Sequence, residues 1–311
     1  MRNNVKLAGR PTLQKIGGLL FLIILLGGIV ALAWPNNTPS AGGNRLGVVA
    51  AENFWGDIAS QIGGDHVHVT SIISDPTADP HLYESSAKDA GAVASAKVVI
   101  VNGLGYDDFM AKLIGATQRH QAVLTAAQIL GVTDESANPH LWYNLPQVHI
   151  VASKIAGSFE TADPGHAADY KHNLATFDQS LQALLRSIDE IKQKYADAPV
   201  AYTEPVPGYL LAAAGLDVKT PEGFAKSIED GDDPSPADAQ AMDALMTNKQ
   251  IKVLLYNSQA TSPVTEHVKQ LARQAGIPVI GVTETLPPNE PSYQAWQQHQ
   301  LDQLLKALQT K

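Results

Sequence analysis

The stretch DPGHAADYKHNLATFDQSLQALLRSIDEIKQKY, from Asp163 to Tyr195, decides the fold of this chain. Its apolar residues recur every three or four positions, which predicts one amphipathic helix. Asp163 and Pro164 are residue types that favour the N-cap and the first helical position. A helix of about 30 residues spans roughly 45 Å, which is longer than a small domain is wide. We therefore predict a rigid connecting helix between two domains.

Both flanks of this helix alternate short apolar runs with helical patterns. Predicted strands before it are RLGVVAA (45–51), HVHVTSII (66–73), KVVIVNG (97–103) and QAVLTAA (121–127). Predicted strands after it are PVAYTE (199–204), DVKTP (217–221), IKVLLYN (251–257) and IPVIGVTE (277–284). Strands that alternate with helices indicate a parallel sheet covered on both faces. We predict an α/β fold of two similar lobes, each a mostly parallel sheet flanked by helices, joined by one long connecting helix.

The N-terminus predicts export. A basic start, MRNNVKLAGRPTLQK, precedes an apolar run from Ile16 to Trp34, and Ala-Leu-Ala at 31–33 has the form of a cleavage site. The run is either a secretory signal cleaved near Ala33 or a retained anchor, because its length reaches the ~18–20 residues that span a bilayer. The predicted segments are a signal or anchor (1–34), a linker (35–44), an N-terminal lobe (45–162), the connecting helix (163–196) and a C-terminal lobe (197–311).

Charge and cysteine content exclude several classes of protein. The 311 residues carry a net charge of -9, whereas a nucleic-acid partner would require a basic face. The absence of cysteine excludes disulfides, thiolate metal sites, thiol nucleophiles and a lipid anchor on an N-terminal cysteine.

Four polar residues lie near the ends of predicted strands, where open parallel sheets bind ligands. His81 lies in DPHLYESSAKD and His140 in NPHLWYN, both in the first lobe, while Glu204 and Glu284 lie in the second. Taken singly, each histidine is more often a surface or hydrogen-bonded residue, and each glutamate a solvated loop residue or a cap. Together, two neutral imidazoles and two carboxylates balance one divalent cation, and mixed nitrogen and oxygen ligands suit Zn²⁺, Mn²⁺ or Fe²⁺.

The same residues carry a resemblance to a known family. DPHLYESSAKD, NPHLWYNLPQV, AYTEPVPGYLLAAAGL and IPVIGVTETL resemble the four ligand motifs of the metal-binding solute-binding proteins of ABC importers, the cluster A-I group for zinc, manganese and iron. The resemblance extends from about Arg45 to Leu308. It implies two α/β lobes joined by a long helix, and His81, His140, Glu204 and Glu284 as metal ligands.

The resemblance also implies a function. Such proteins capture a free divalent metal outside the cytoplasmic membrane and pass it to a permease driven by a cytoplasmic ATPase, with no enzymatic activity. We expect a periplasmic or membrane-anchored monomer that contacts the membrane only through its N-terminal segment. The importer, its ATPase and the metal ion are the expected partners, and nucleic acid is not one.

The third ligand position discriminates among metals in this family. Zinc carriers usually have histidine there and a long histidine-rich loop after the first ligand, whereas this chain has Glu204 and no histidine in YESSAKDAGAVASAKVVIVNG. Both features favour Mn²⁺ or Fe²⁺, with Zn²⁺ as an alternative. The fourth ligand is usually aspartate in the family and is Glu284 here, which leaves the metal identity open.

Three alternatives are weighed against transport. A secreted metal-dependent hydrolase would need an open coordination position, and the chain has neither an H-E-x-x-H motif nor a nucleophile elbow. A metal-stabilised surface interaction module would need the ion only for folding. A carrier of a chelate or haem would need a wider cleft with fewer direct ligands.

Overall fold

The computed structural model describes residues 45–76, 83–117 and 120–310, and it contains two four-stranded parallel sheets. The predicted N-terminal signal or anchor and the linker lie outside the described residues. No helix within the described ranges combines the length and apolarity that crossing a bilayer requires. The two-sheet α/β architecture confirms the predicted fold class.

The first lobe contains a sheet of order β2-β1-β3-β4. Its strands are β1 (Leu46–Glu52), β2 (Val67–Ile73), β3 (Val98–Val101) and β4 (Ala122–Thr125). Its helices are α1 (Asn53–Gly63), α2 (Ala87–Ser95), α3 (Phe109–Gly115), α4 (Ala126–Leu130) and α5 (Leu145–Ala162). The four strands agree with the predicted runs, except that Ala126 and Ala127 of the predicted strand QAVLTAA begin α4. Helices α4 and α5 were not predicted.

The connecting helix α6 (Ala167–Tyr195) has 29 residues and follows the first lobe. It begins later than predicted, because Pro164–His166 forms a 3₁₀ turn. The Asp163 carboxylate is not an N-cap of α6, since its Oδ2 accepts a hydrogen bond from the Tyr170 hydroxyl at 2.7 Å and lies 2.7 Å from His166 Nδ1. The prediction of one long amphipathic helix is otherwise confirmed.

The second lobe repeats the strand arrangement of the first, with order β6-β5-β7-β8. Its strands are β5 (Pro199–Tyr202), β6 (Asp217–Val218), β7 (Val253–Asn257) and β8 (Val279–Val282). Its helices are α7 (Gly208–Ala213), α8 (Glu222–Glu229), α9 (Pro236–Thr247), α10 (Pro263–Ala275) and α11 (Tyr293–Leu308). Helix α8 was not predicted from the sequence.

One hydrophobic core runs through both lobes and includes the buried face of α6. Alternation along each strand divides the side chains between two faces: Val48 of β1 points into this shared core, whereas Val49 belongs to a separate cluster under α2 and α3. The second lobe has an equivalent outer cluster under α8, α9 and α10. Because α6 packs on α1, α5 and α11, it is part of the core of both lobes.

Replacing Leu184 by alanine tests the role of α6 in the shared core. Leu184 is 1% exposed, so Leu184→Ala should lower the free energy of unfolding by about 2–5 kcal/mol through lost burial and a residual cavity. Urea denaturation followed by far-UV circular dichroism measures this change. Gln182→Ala, at an exposed position of the same helix, is the control and should change stability by less than about 0.5 kcal/mol. Equal effects of the two substitutions would contradict this packing.

Candidate metal centre

The strand order of the second sheet brings Glu204 and Glu284 together. Glu204 lies just after β5 and Glu284 just after β8, and both strands pair with β7, which ends at Asn257. Because the carboxyl ends of parallel strands meet at one edge, the two glutamates lie on either side of Asn257. The Asn257 amide donates to Glu284 Oε1 at 2.8 Å and also to Glu204 Oε2.

His140 reaches the same point from the first lobe, just before a 3₁₀ turn (Leu141–Tyr143). Asn138 Oδ1 lies 2.6 Å from His140 Nδ1 and accepts the His140 backbone N–H at 3.0 Å. Asn138 Nδ2 donates to the Pro205 carbonyl at 2.7 Å. This hydrogen bond fixes which side-chain atom of Asn138 is the nitrogen and which is the oxygen. His140 Nδ1 is therefore the protonated nitrogen, and the unprotonated Nε2 faces Glu284 Oε2 at 3.6 Å.

Tyr106 adds a second link between the lobes at this site. Its hydroxyl donates to Glu284 Oε2 at 2.8 Å. Burial, followed by the charge of Glu284, raises the pKa of Tyr106 well above its ordinary value, so the phenol remains a donor. The turn before it needs left-handed backbone at Gly103, Leu104 and Gly105 (φ 85°, 57° and 78°).

The three ligand candidates that the structure describes are buried away from solvent. His140 and Glu284 are 0% exposed and Glu204 is 1% exposed. Carboxylates in such a position lose their hydration, and a bound cation is one of the few partners that offsets the cost. One imidazole nitrogen and several carboxylate oxygens are ligand types that suit a divalent cation.

His81, the fourth predicted ligand, lies outside the described residues. Among the residues that are described, no group of three or more histidine, cysteine, aspartate or glutamate side chains is arranged to hold a metal ion. The amide of Asn257 and the hydroxyl of Tyr106 donate to the two carboxylate oxygens of Glu284. Each carboxylate oxygen has two lone-pair sites, so a hydrogen bond and a coordination bond to the same oxygen are compatible.

Glu52 is a buried acid close to this site that the sequence analysis did not identify. It is the last residue of β1 and is 0% exposed. Burial, and then the charge of Asp107, raises the pKa of Glu52 well above its ordinary value. The charge of Glu52 in turn raises the pKa of Tyr106. In the sequence, Glu52 and Asn257 share one recognisable feature, because each is a polar residue at the end of an apolar strand.

Comparison with known proteins identifies a family. A family model described as "ZnuA: Zinc-uptake complex component A periplasmic" matches residues 48–307. The manganese-binding lipoprotein MntA of Bacillus subtilis (strain 168) is 29% identical over 253 residues, which cover 77% of this chain and 80% of MntA. The manganese ABC transporter substrate-binding lipoprotein scaA of Streptococcus gordonii is 23% identical over 286 residues, covering 86% and 88% of the two chains.

Solved structures with the same fold support the two-lobe architecture. The periplasmic zinc-binding protein TroA of Treponema pallidum superposes with a TM-score of 0.71 at 19% identity, covering 84% of this chain and 98% of TroA. The solute-binding protein FpvC of Pseudomonas aeruginosa, in complex with Mn²⁺, gives 0.71 at 24% identity, covering 85% and 98%.

Replacing Glu52 by glutamine should make the metal-free protein more stable at alkaline pH. The raised pKa of Glu52 means that the folded chain retains a proton that the unfolded chain releases near 4.5. Its contribution to stability is therefore full below that pH and is lost as the pH rises through the folded-state pKa. Glu52→Gln removes this loss, so its advantage over the parent should be largest near pH 8 and should shrink towards pH 4.

Urea denaturation with a chelator present, repeated across this pH range, measures the difference. Glu222→Gln, at an exposed position of α8, makes the same change in charge and should show no such trend. An advantage of Glu52→Gln that does not change with pH would contradict the assignment of a raised pKa.

Proposed function

Since this chain belongs to the ZnuA family of periplasmic zinc-uptake components, we propose that it captures a divalent transition-metal ion outside the cytoplasmic membrane and delivers it to an ABC importer. The observation that carries the proposal is the meeting of His140, Glu204 and Glu284 from two lobes in a buried position. Because the family is one of transport binding components, the chain is not an enzyme, and a hydrolase is not favoured.

The proposed ligands are His81, His140, Glu204 and Glu284. His81 is included because its motif, DPHLYE, resembles a ligand motif of the family. The other three are supported by their convergence, and by the hydrogen bond that holds the His140 ring with Nε2 towards Glu284. Such an outer partner raises the basicity of a ligating imidazole and fixes its orientation. Tyr106 and Asn257 would orient the carboxylates in the same way.

Mn²⁺ or Fe²⁺ is the proposed cargo, with Zn²⁺ as the alternative. Glu204 would supply a hard oxygen ligand where zinc carriers of the family usually have imidazole, and oxygen ligands suit Mn²⁺. Two of the similar lipoproteins are named for manganese, while TroA is named for zinc. In vitro, Zn²⁺ should still bind at least as tightly as Mn²⁺, as the Irving–Williams order requires.

The proposed partners follow from the same role. They are a membrane permease and its cytoplasmic ATPase, to which this chain delivers the ion as a monomer. The segment 1–34 would direct export and then be cleaved, or would remain as an anchor on the outer face of the membrane.

Removal of His140 tests the site directly. His140→Ala deletes one proposed ligand and should weaken Mn²⁺ and Zn²⁺ binding by at least about 100-fold, since loss of an outer partner alone costs 10–100-fold. Isothermal titration calorimetry on chelator-stripped protein measures the affinity. His149→Ala, an exposed histidine on α5, is the matched control and should bind as the parent does. Retained affinity in the His140 variant, or no metal binding by the parent, would refute the proposal.

Substitution of Glu204 tests the metal preference. Glu204→His replaces a hard oxygen ligand by imidazole and should raise the affinity for Zn²⁺ relative to Mn²⁺ by at least about tenfold. Glu204→Asp keeps the carboxylate and is the control for a change in geometry alone. Competition between the two ions, read by elemental analysis after dialysis, measures the ratio. A larger ratio shift in the aspartate variant than in the histidine variant would argue against Glu204 as the residue that sets preference.

A further inference from the structure

A cavity of about 490 Å³ lies between the lobes, beside the candidate metal centre. The first lobe contributes Leu104, Gly105 and Tyr106, and the residues shortly before His140, namely Glu135, Ser136, Ala137 and Pro139. The second lobe contributes Lys226, Glu229 and Asp230 at the end of α8. Tyr106 belongs both to this cavity and, through its hydroxyl, to the buried site. The cavity therefore adjoins the enclosed ligand candidates.

Glu229 connects the cavity with His140. Its side chain is 10% exposed, and its two carboxylate oxygens face in different directions. Oε2 lies 3.9 Å from Lys226 Nζ, a group that is 58% exposed, while Oε1 lies 4.0 Å from His140 Nδ1. The carboxylate thus spans the distance between a surface lysine and the buried imidazole.

The inner oxygen of Glu229 has no hydrogen bond to any residue that the structure describes. Among the described residues, no donor lies within hydrogen-bond distance of Glu229 Oε1, although the atom is buried. His140 Nδ1 does not fill this role, because it lies within 2.6 Å of Asn138 Oδ1 instead. A buried carboxylate oxygen without a donor is costly and is normally satisfied by water or by a cation. The adjacent cavity has room for a cation with its water shell.

The charge of the lining favours a cation over an anion. Glu135, Glu229 and Asp230 are acidic, and Lys226 is the basic residue among those that line the cavity in the described part of the chain. Lys226 pairs with Asp230 and approaches Glu229. A cleft with an excess of one sign of charge concentrates ions of the opposite sign and raises their association rate.

From this geometry we propose that the cavity is a second, weaker site for a hydrated divalent cation, with Glu229 as its principal ligand, through which the ion reaches the buried centre. The inference rests on the proposed metal-binding function. An arriving ion displaces Lys226 from Glu229 and exchanges water for Oε1. It then moves past Tyr106 to the ligands at His140. Glu229 is an access ligand and takes no part in the final coordination.

The kinetics of metal binding test the proposal. Trp142 lies against His140, with ring centroids 5.2 Å apart, so its fluorescence reports occupation of the buried site. In stopped-flow mixing with Mn²⁺, Glu229→Gln should lower the association rate constant by about tenfold, since it removes one of the charges that attract the ion. The dissociation rate constant should fall as well, so that the affinity changes by less than the rates do.

Glu222→Gln is the matched control. Glu222 begins the helix that Glu229 ends, and the substitution makes the same change in charge at an exposed position. It should leave both rate constants as in the parent. Glu229→Asp, which keeps the charge, should recover most of the association rate. Equal association rates in Glu229→Gln and Glu222→Gln would overturn the proposal, as would a loss of affinity in Glu229→Gln as large as its loss of association rate.

A direct measurement of the weak site completes the test. In the His140→Ala background at millimolar metal, Mn²⁺ binding at the cavity should lower the electron paramagnetic resonance signal of free Mn²⁺, and addition of Glu229→Gln should abolish this decrease. A decrease that survives the second substitution would overturn the access site. The proposed function would be refuted by a different result, namely that the parent protein binds no Mn²⁺ or Zn²⁺ in equilibrium dialysis. If only the access site is wrong, metal binding by the parent protein is unchanged.

Discussion

Two carboxylates held side by side away from water are the constraint on which the rest of this structure depends. Glu204 and Glu284 are almost fully buried, and the amide of Asn257 donates to both. Like charges in such a position are unfavourable unless donors or a cation compensate them. Hydrogen-bond donors in the structure therefore occupy positions next to those that a divalent ion would take.

The first lobe completes this arrangement and thereby ties the lobes to each other. The Tyr106 hydroxyl binds Glu284, and the Asn138 amide that orients His140 also donates to Pro205 of the second lobe. Away from the centre, Asn53 exchanges two hydrogen bonds with the backbone of Leu286, at 2.8 and 2.9 Å. Because α6 lies in a core common to both lobes, rotation of one lobe against the other would have to disrupt that core.

Much of the fold was predictable because its signals are local. Helix α6 is recognisable from a long run of apolar residues at regular helical spacing. Strands β1, β3 and β7 are recognisable from short, continuous apolar runs. Helix α5 was not predicted, although its buried residues Val148, Val151, Ile155 and Phe159 also follow helical spacing. The start of α6 was misplaced because the Asp163 carboxylate accepts from Tyr170 instead of capping the helix.

The sequence by itself determined the alternation of strands and helices, the family motifs, and the residue types that suit a divalent metal, since these depend on neighbours along the chain. Only the tertiary structure decided that Asn257 separates the two glutamates, that Asn138 orients His140, and that Glu52 and the inner oxygen of Glu229 are buried beside the centre. Each of these depends on strand order or on contact between lobes. Such contacts join residues that are far apart in the chain. Local sequence patterns therefore do not predict which of the polar residues at strand ends come together.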